Sequence, residues 1–394
     1  MKLQHLTILF IWGSAIASRL YAASYAGHVT SLSLSPSGES YELSTLSQNN
    51  DCGPSPSWLM LDGSNKILYC LDEGVGRHNG TVTSLKINLD GSFTKVGQLQ
   101  TLVGPVASAF YTTAHGSGHK FLAVAHYSGS ALTTYSVDPI SGHFNHSQSF
   151  TFAVAAPGPI PERQDAPHPH GVVVDPSGRF VLVPDLGADL VRIFRICPTT
   201  GQLEEQPPLA VAPGSGPRHA VFWAPRNANL TRLSHVRFFL VSELDNYLRG
   251  YDVTYPNNGT LLFTKFYEGN TYGGSTPPTG SKAAGIAISP QNDRLVISNR
   301  NDNSFGPGND SIAIFSLVKH NQTSAVSFLG SYPSFGSFPR QFDISSKDSM
   351  MAIAQQNSHK VVVTKWDMKD GTLGSVLIEQ PLDGEIPAVI WDSS

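Results

Sequence analysis

The sequence predicts an all-β fold, a seven-bladed β-propeller of four-stranded blades, and three observations lead there. A unit consisting of a loop, an apolar strand, a polar turn, a second apolar strand and two further strands recurs at a spacing of roughly 48 to 67 residues. It recurs six times whole, and its opening strand appears a seventh time at the end of the chain. Gly and Pro number 36 and 27 while charged residues make up only 14%, so turns are abundant and helix-forming charge pairs are scarce. A chain of 394 residues would otherwise suggest two or three domains of about 150 residues each, but a repeat of this length closes into a single ring.

Taken in order, residues 1–18 read as a signal peptide. The apolar run Leu6 to Ile16 follows Lys2 and ends in the small-residue pattern Ala15, Ile16, Ala17, too short for a spanning helix of about 20 residues. Residues 19–394 then form the propeller. Its innermost strands open at Ser55, Gly104, His168, Gly216, Lys282 and Phe338, and the seventh is IPAVIWD from Ile386. Second strands follow at Ile67, Phe121, Phe180, Arg237, Arg294 and Met350, and their continuous β-branched and aromatic runs suit burial on both faces. Third strands such as Leu190 to Ile196 and Ser311 to Val318 alternate apolar and polar residues, which predicts half-exposure. The turn DPSG at Asp175 to Gly178 joins a first strand to a second. The last unit lacks outer strands, and the segments from Arg19, His28 and Ser40 supply them. Three N-terminal strands and one C-terminal strand therefore complete the final blade.

The compartment follows from the leader, so the protein is expected to be secreted, which permits a disulfide; Cys52 and Cys70 are the predicted pair. Cys197 is then left as a small packed residue. Sequons begin at Asn79, Asn145, Asn229, Asn258, Asn309 and Asn321. A formal net charge of −4 offers no basic field for nucleic acid or an anionic membrane surface. A ring closed by its own ends needs no second copy, so a monomer is expected.

Strand order places the loop entering each first strand and the loop leaving each second strand on one mouth of the ring, where propellers place ligands. The residues at these positions include His168, His170, Arg218, His219 and Arg340 from the entries, and Asp72, Glu73, His126, Tyr127, Asp185, Glu243, Arg300, Gln355 and Gln356 from the exits. Three arginines at one mouth, Arg218, Arg300 and Arg340, point to recognition of an anionic group, because guanidinium grips carboxylate or phosphate through a bidentate fork. His170 and Glu243 are the natural proton carriers. No metal and no cofactor are expected: Asp165, His168 and His170 are the nearest approach to a ligand set, and no HExxH or paired-Cys spacing accompanies them. No GxSxG elbow is present for a serine nucleophile.

At these residues the chain resembles the seven-bladed lactonase family, also called cycloisomerase 2, which includes 6-phosphogluconolactonases and carboxymuconate-cyclising enzymes. The most specific pieces are HPHGVVVDPSGRFVLVPDLGADLVRIFRI from His168, GPRHAVF from Gly216, SELDN from Ser242, and FPRQFDIS with AIAQQNSHKVVV near the end. The resemblance implies a metal-independent lactone hydrolase of carbohydrate metabolism, acting on a small anionic lactone or carboxylate substrate, with His170, Arg218, Glu243 and Arg300 as its catalytic set. His170 or Glu243 would be the base, and His168, His219, Arg340 and Gln355 would line the substrate. The alternatives are a carboxy-cis,cis-muconate lactonising isomerase and a secreted propeller that binds without turnover. Two departures from the family, the insertion from Arg226 to His235 and FGPGND from Phe305, bear on substrate identity.

Overall fold

Seven sheets of four antiparallel strands follow one another around a ring in the computed structural model, which describes residues 17–113, 118–225, 235–256, 259–317, 319–320, 323–324 and 326–392. Blade one holds Pro56–Asp62, Ile67–Asp72, Asn79–Ile87 and Phe93–Leu102. Blades two to six open at Pro105–Thr112, Val173–Val174, Pro217–Trp223, Lys282–Ile288 and Pro339–Ser345. Blade seven sets the C-terminal Ala388–Trp391 innermost, followed by Ser18–Ser24, His28–Ser37 and Ser40–Asn49. Leu20 lies opposite Trp391 and Ala23 opposite Ala388, so the two ends of the chain are joined by a ladder, as the missing outer strands predicted.

The core lies between blades. In blade three, Val181 and Val183 pack toward blade two with Phe121 and Ala123, while Phe180 and Leu182 pack toward blade four with Phe238 and Leu240. Alternate side chains of each second strand thus enter two different cores, which is why the strand reads as an unbroken apolar run. The third strands are more buried than their alternation suggested. Along Leu190–Ile196 only Leu190 and Arg195 escape burial, and Ser311–Ser316 is buried throughout. Polar residues are accommodated there by partners: Arg192 donates from Nε to Asp185 at 2.8 Å and lies over the Phe152 ring. Solvent exposure falls instead on fourth strands such as Leu203–Ala210.

Cys52, in the loop leaving blade seven, is disulfide-bonded to Cys70 on the second strand of blade one. The bond staples the closing blade to its neighbour. With a sequence separation of 18, replacing both cysteines with serine is expected to cost about 3 kcal/mol, read as a lower urea midpoint. An unchanged midpoint would refute the staple. Cys197, by contrast, is not packed but half-exposed in its turn, where hydrogen bonds from Thr199 and Thr200 pull the thiol down to about 6. Asn79 and Asn145 are exposed, and Asn309 is half-buried with its side-chain oxygen accepting from Phe335 N. Asn229, Asn258 and Asn321 lie outside the described residues, as do 1–16 and most of the insertion after Arg226. Ser18 already belongs to the first strand, paired with Leu34.

Candidate active site

The DPSG turn folds as its sequence required, with Gly178 at φ +67° and the Asp175 carboxylate accepting from the N–H groups of Ser177, Arg179 and Phe180. That turn lies at the far end of the blade. At the opposite end the first strands share a device the sequence did not reveal. The register slips between Pro56 and Trp58, Pro105 and Ala107, Pro217 and His219, and Pro339 and Gln341, a β-bulge one residue into the strand. In blade three the interruption is longer, with an isolated Pro169–Asp185 bridge before pairing resumes at Val173. A bulged residue is free of the ladder and its side chain is re-aimed. Val106, Arg218 and Arg340 occupy such positions, His170 stands in the interrupted stretch of blade three, and all four line one cavity of about 320 Å³.

The remaining walls are Glu73, Tyr127, Arg163, Glu243, Lys282 and Arg300. Local packing fixes the approach. Asp189 of blade three accepts from the N–H groups of Gly214 and Gly216, holding the loop that delivers Arg218. Gly216 has φ +64°, and a Cβ there would come within 2.4 Å of Leu244. Asp310 similarly gathers the N–H groups of Asn301, Asp302, Asn303 and Phe338, shaping the exit beside Arg300.

Glu243 is the electrostatic centre. Its Oε2 accepts from Arg218 Nε at 2.9 Å and from Arg300 Nη2 at 2.6 Å, and its Oε1 meets Arg163 Nη2 at 2.6 Å. Burial raises its carboxyl, but Arg300, Arg218 and Arg163 outweigh burial and hold it well below the usual carboxylate range. It stays ionised. Five cations (Arg163, Arg218, Arg300, Arg340 and Lys282) face two carboxylates, Glu73 and Glu243. Five cations against two carboxylates leave positive charge that the cavity does not balance internally, and burial with like-charge neighbours accordingly pushes Arg218 and Lys282 downward. Arg218 Nη1 and Arg300 Nε are buried without a hydrogen-bond partner.

His170 completes the cavity. Burial first, then Arg218 and His219, depress its imidazole well below 6.5, so it is neutral near pH 7. Tyr127 meets it edge-on at 5.5 Å, and its Nδ1 is buried without a partner. His219 lies 5.3 Å from the His170 ring and 5.6 Å from Trp58, outside the cavity lining. His168 does not line the cavity either. Its ring stacks on Tyr127 at 4.2 Å and bonds Tyr127 O and Asp165 Oδ1, both at 2.9 Å, so it buttresses a wall residue. Gln355 is likewise buried away from the cavity, donating to Ser334 O. Among the exits, Asp72 and Asp185 are consumed by Arg77 and Arg192, and His126 by Leu102 O and Thr133. Among the described residues, no group of three or more His, Cys, Asp or Glu is placed to hold a metal ion.

Arg163, Lys282 and Tyr25 were not identified from the sequence. Arg163 comes from the irregular segment between Thr151 and Val173, where no strand pattern marks it, whereas Tyr25 leaves the second strand of blade seven, the exit position that Glu73 holds in blade one and that the strand-order rule could have found. Lys282 stands in the sequence as an ordinary first residue of a strand.

A family model described as a seven-bladed β-propeller lactonase matches residues 19–387. A probable 6-phosphogluconolactonase of Arthroderma benhamiae is 31% identical over 342 residues, covering 85% of this chain and 80% of the relative. A 6-phosphogluconolactonase of Formosa agariphila is 29% identical over 331 residues, 83% of this chain and 86% of the relative. Among solved structures, the periplasmic gluconolactonase of Pseudomonas aeruginosa superimposes with a TM-score of 0.77 at 22% identity, covering 95% of this chain and 99% of the other. A putative 6-phosphogluconolactonase of Bacteroides uniformis gives the same TM-score at 20% identity, again over 95% and 99%. At that identity the structures establish the propeller alone.

Proposed function

We propose that this chain, which belongs to the seven-bladed β-propeller lactonase family, hydrolyses a sugar-derived lactone to the open acid at the cavity around His170. The observation that carries the reading is a neutral imidazole set against guanidinium N–H groups that lack partners. The family relatives named as 6-phosphogluconolactonases support it.

The lactone carbonyl sits against Arg218 and Arg300. His170 takes a proton from water as the water oxygen bonds to the carbonyl carbon, and the carbonyl oxygen becomes an oxyanion held by the guanidiniums. The tetrahedral carbon then collapses, the ring C–O bond breaks, and the departing oxygen takes its proton back from His170. Water is consumed, and the hydroxy acid leaves as its carboxylate. Glu243, the other base the sequence offered, is clamped by three arginines and acts as their counter-ion. Arg340 and Lys282 receive the anionic substituent of the substrate.

Purified protein is expected to open D-glucono-1,5-lactone or its 6-phosphate, followed by proton release above the spontaneous rate. Consumption of carboxymuconate with neither lactone touched would overturn the reading in favour of ring closure. The pH dependence has a defined sign. Because the folded imidazole titrates well below 6.5, the base remains neutral as pH falls through 6.5, and kcat/KM declines only at lower pH. An acid limb centred at or above 6.5 would assign the base elsewhere.

The same reading extends to export. The apolar run Leu6 to Ile16, the buried disulfide and a periplasmic gluconolactonase among the structural neighbours support it. N-terminal sequencing of protein from the culture medium is expected to begin within a few residues of Ser18.

A further inference from the structure

We infer that Tyr25 is a positioning residue for the anion-binding end of the cavity, acting through Arg340; the inference rests on the lactone-hydrolase reading above. Arg340 stands on blade six and Glu73 at the exit of blade one, with blade seven between them. Tyr25 is in the turn of blade seven between Ser18–Ser24 and His28–Ser37, and it fills that gap. Its hydroxyl donates to Glu73 Oε2 at 2.6 Å and accepts from Arg340 Nη1 at 2.6 Å, whereas Arg340 Nη2 reaches Glu73 only at 3.5 Å. The hydroxyl has one proton to give and uses it, so the three groups have a single sense of donation.

The turn itself is anchored. Tyr25 N donates to Glu385 O at 2.9 Å, and the Glu385 carboxylate accepts from Gln356 Nε2 at 2.6 Å. Arg340 is therefore held short of a full ion pair with Glu73, and part of its fork remains turned to the cavity it lines. Without the hydroxyl, the attraction between Arg340 and Glu73 is no longer interrupted, the guanidinium closes onto the carboxylate, and its grip on a substrate anion is lost.

The test is Tyr25→Phe, assayed on neutral D-glucono-1,5-lactone and on its anionic 6-phosphate. KM for the phosphorylated lactone is expected to rise about tenfold more than KM for the neutral one, the loss of roughly one charge-assisted hydrogen bond. Arg340→Gln is expected to show the same selectivity, and the double variant is expected to be no worse than Arg340→Gln alone. Equal losses on both lactones, or losses that add in the double variant, would overturn the assignment and leave Tyr25 a structural residue. Calorimetric titration with 6-phosphogluconate gives an arm independent of turnover, with about tenfold weaker binding to Tyr25→Phe expected. Should the wild-type chain open neither lactone, the activity reading fails and this arm still decides for or against Tyr25.

Discussion

Replacing His170 with alanine is expected to lower kcat by about 10²- to 10⁴-fold while leaving the propeller folded, the usual value of a positioned proton carrier. The ring is buried but contributes no side-chain hydrogen bond that another group depends on, and its Nδ1 already lacks a partner. The backbone N–H of residue 170 keeps its bond to Pro184 O whatever the side chain. The urea midpoint should therefore move little while steady-state turnover collapses. A His170→Ala enzyme with wild-type kcat would remove the base from the mechanism. A second imidazole, His219, lies 5.3 Å away, but it is outside the cavity lining and is itself pressed toward neutrality by burial and Arg218.

Glu243→Gln should act on stability and activity together. The carboxylate is the shared acceptor of Arg163, Arg218 and Arg300, and the side chains of Arg218 and Glu243 are only 1% and 2% exposed. Glutamine preserves the volume and an acceptor oxygen but leaves three guanidiniums without their counter-charge. Breaking a buried pair from one side costs about 3–5 kcal/mol, to be read from urea unfolding. Turnover should fall as well, because the guanidiniums that meet the oxyanion lose their common anchor. Added phosphate should restore more stability to the variant than to the wild type, since an external anion can replace the missing charge. A variant as stable as the wild type, with or without phosphate, would mean that the arginines are held by something else.

Most of the architecture was legible because it is written in periodicity. Runs such as FVLVPDL from Phe180 can be fed only by two cores at once, and the count of first strands against outer strands forced the closure through Arg19. The cavity was legible as far as strand order alone determines which end of a blade a residue occupies. Strand order brings His170, Arg218, Glu243, Arg300 and Arg340 to one mouth, and all five line the cavity. Direction was not legible. His168 and His170 are two residues apart, yet one stacks behind Tyr127 and the other faces the cavity, because the break in pairing after Pro169 sets their orientations. Gln355 stands at an exit, as Arg300 does, but turns inward to Ser334 O. Arg163 was out of reach for a different reason: it lies in the irregular segment between Thr151 and Val173, where no recurring pattern says what comes near it. Tyr25 was within reach, because it follows the second strand of blade seven as Glu73 follows that of blade one, and the exit rule applied to the closing blade selects it.

The ladder between Leu20 and Trp391 also orders events during biosynthesis. Ser18–Ser24 cannot complete its sheet until Ala388–Trp391 has been made, so the loop this pairing closes takes in the six other blades, and such distant pairings form slowly. Glu73 and Arg340 stand on either side of that seam. A nascent or truncated chain therefore presents an unlocked ring, with an edge open to other chains and a cavity not yet able to hold its substrate, and catalytic competence arrives in the same step that hides the edge.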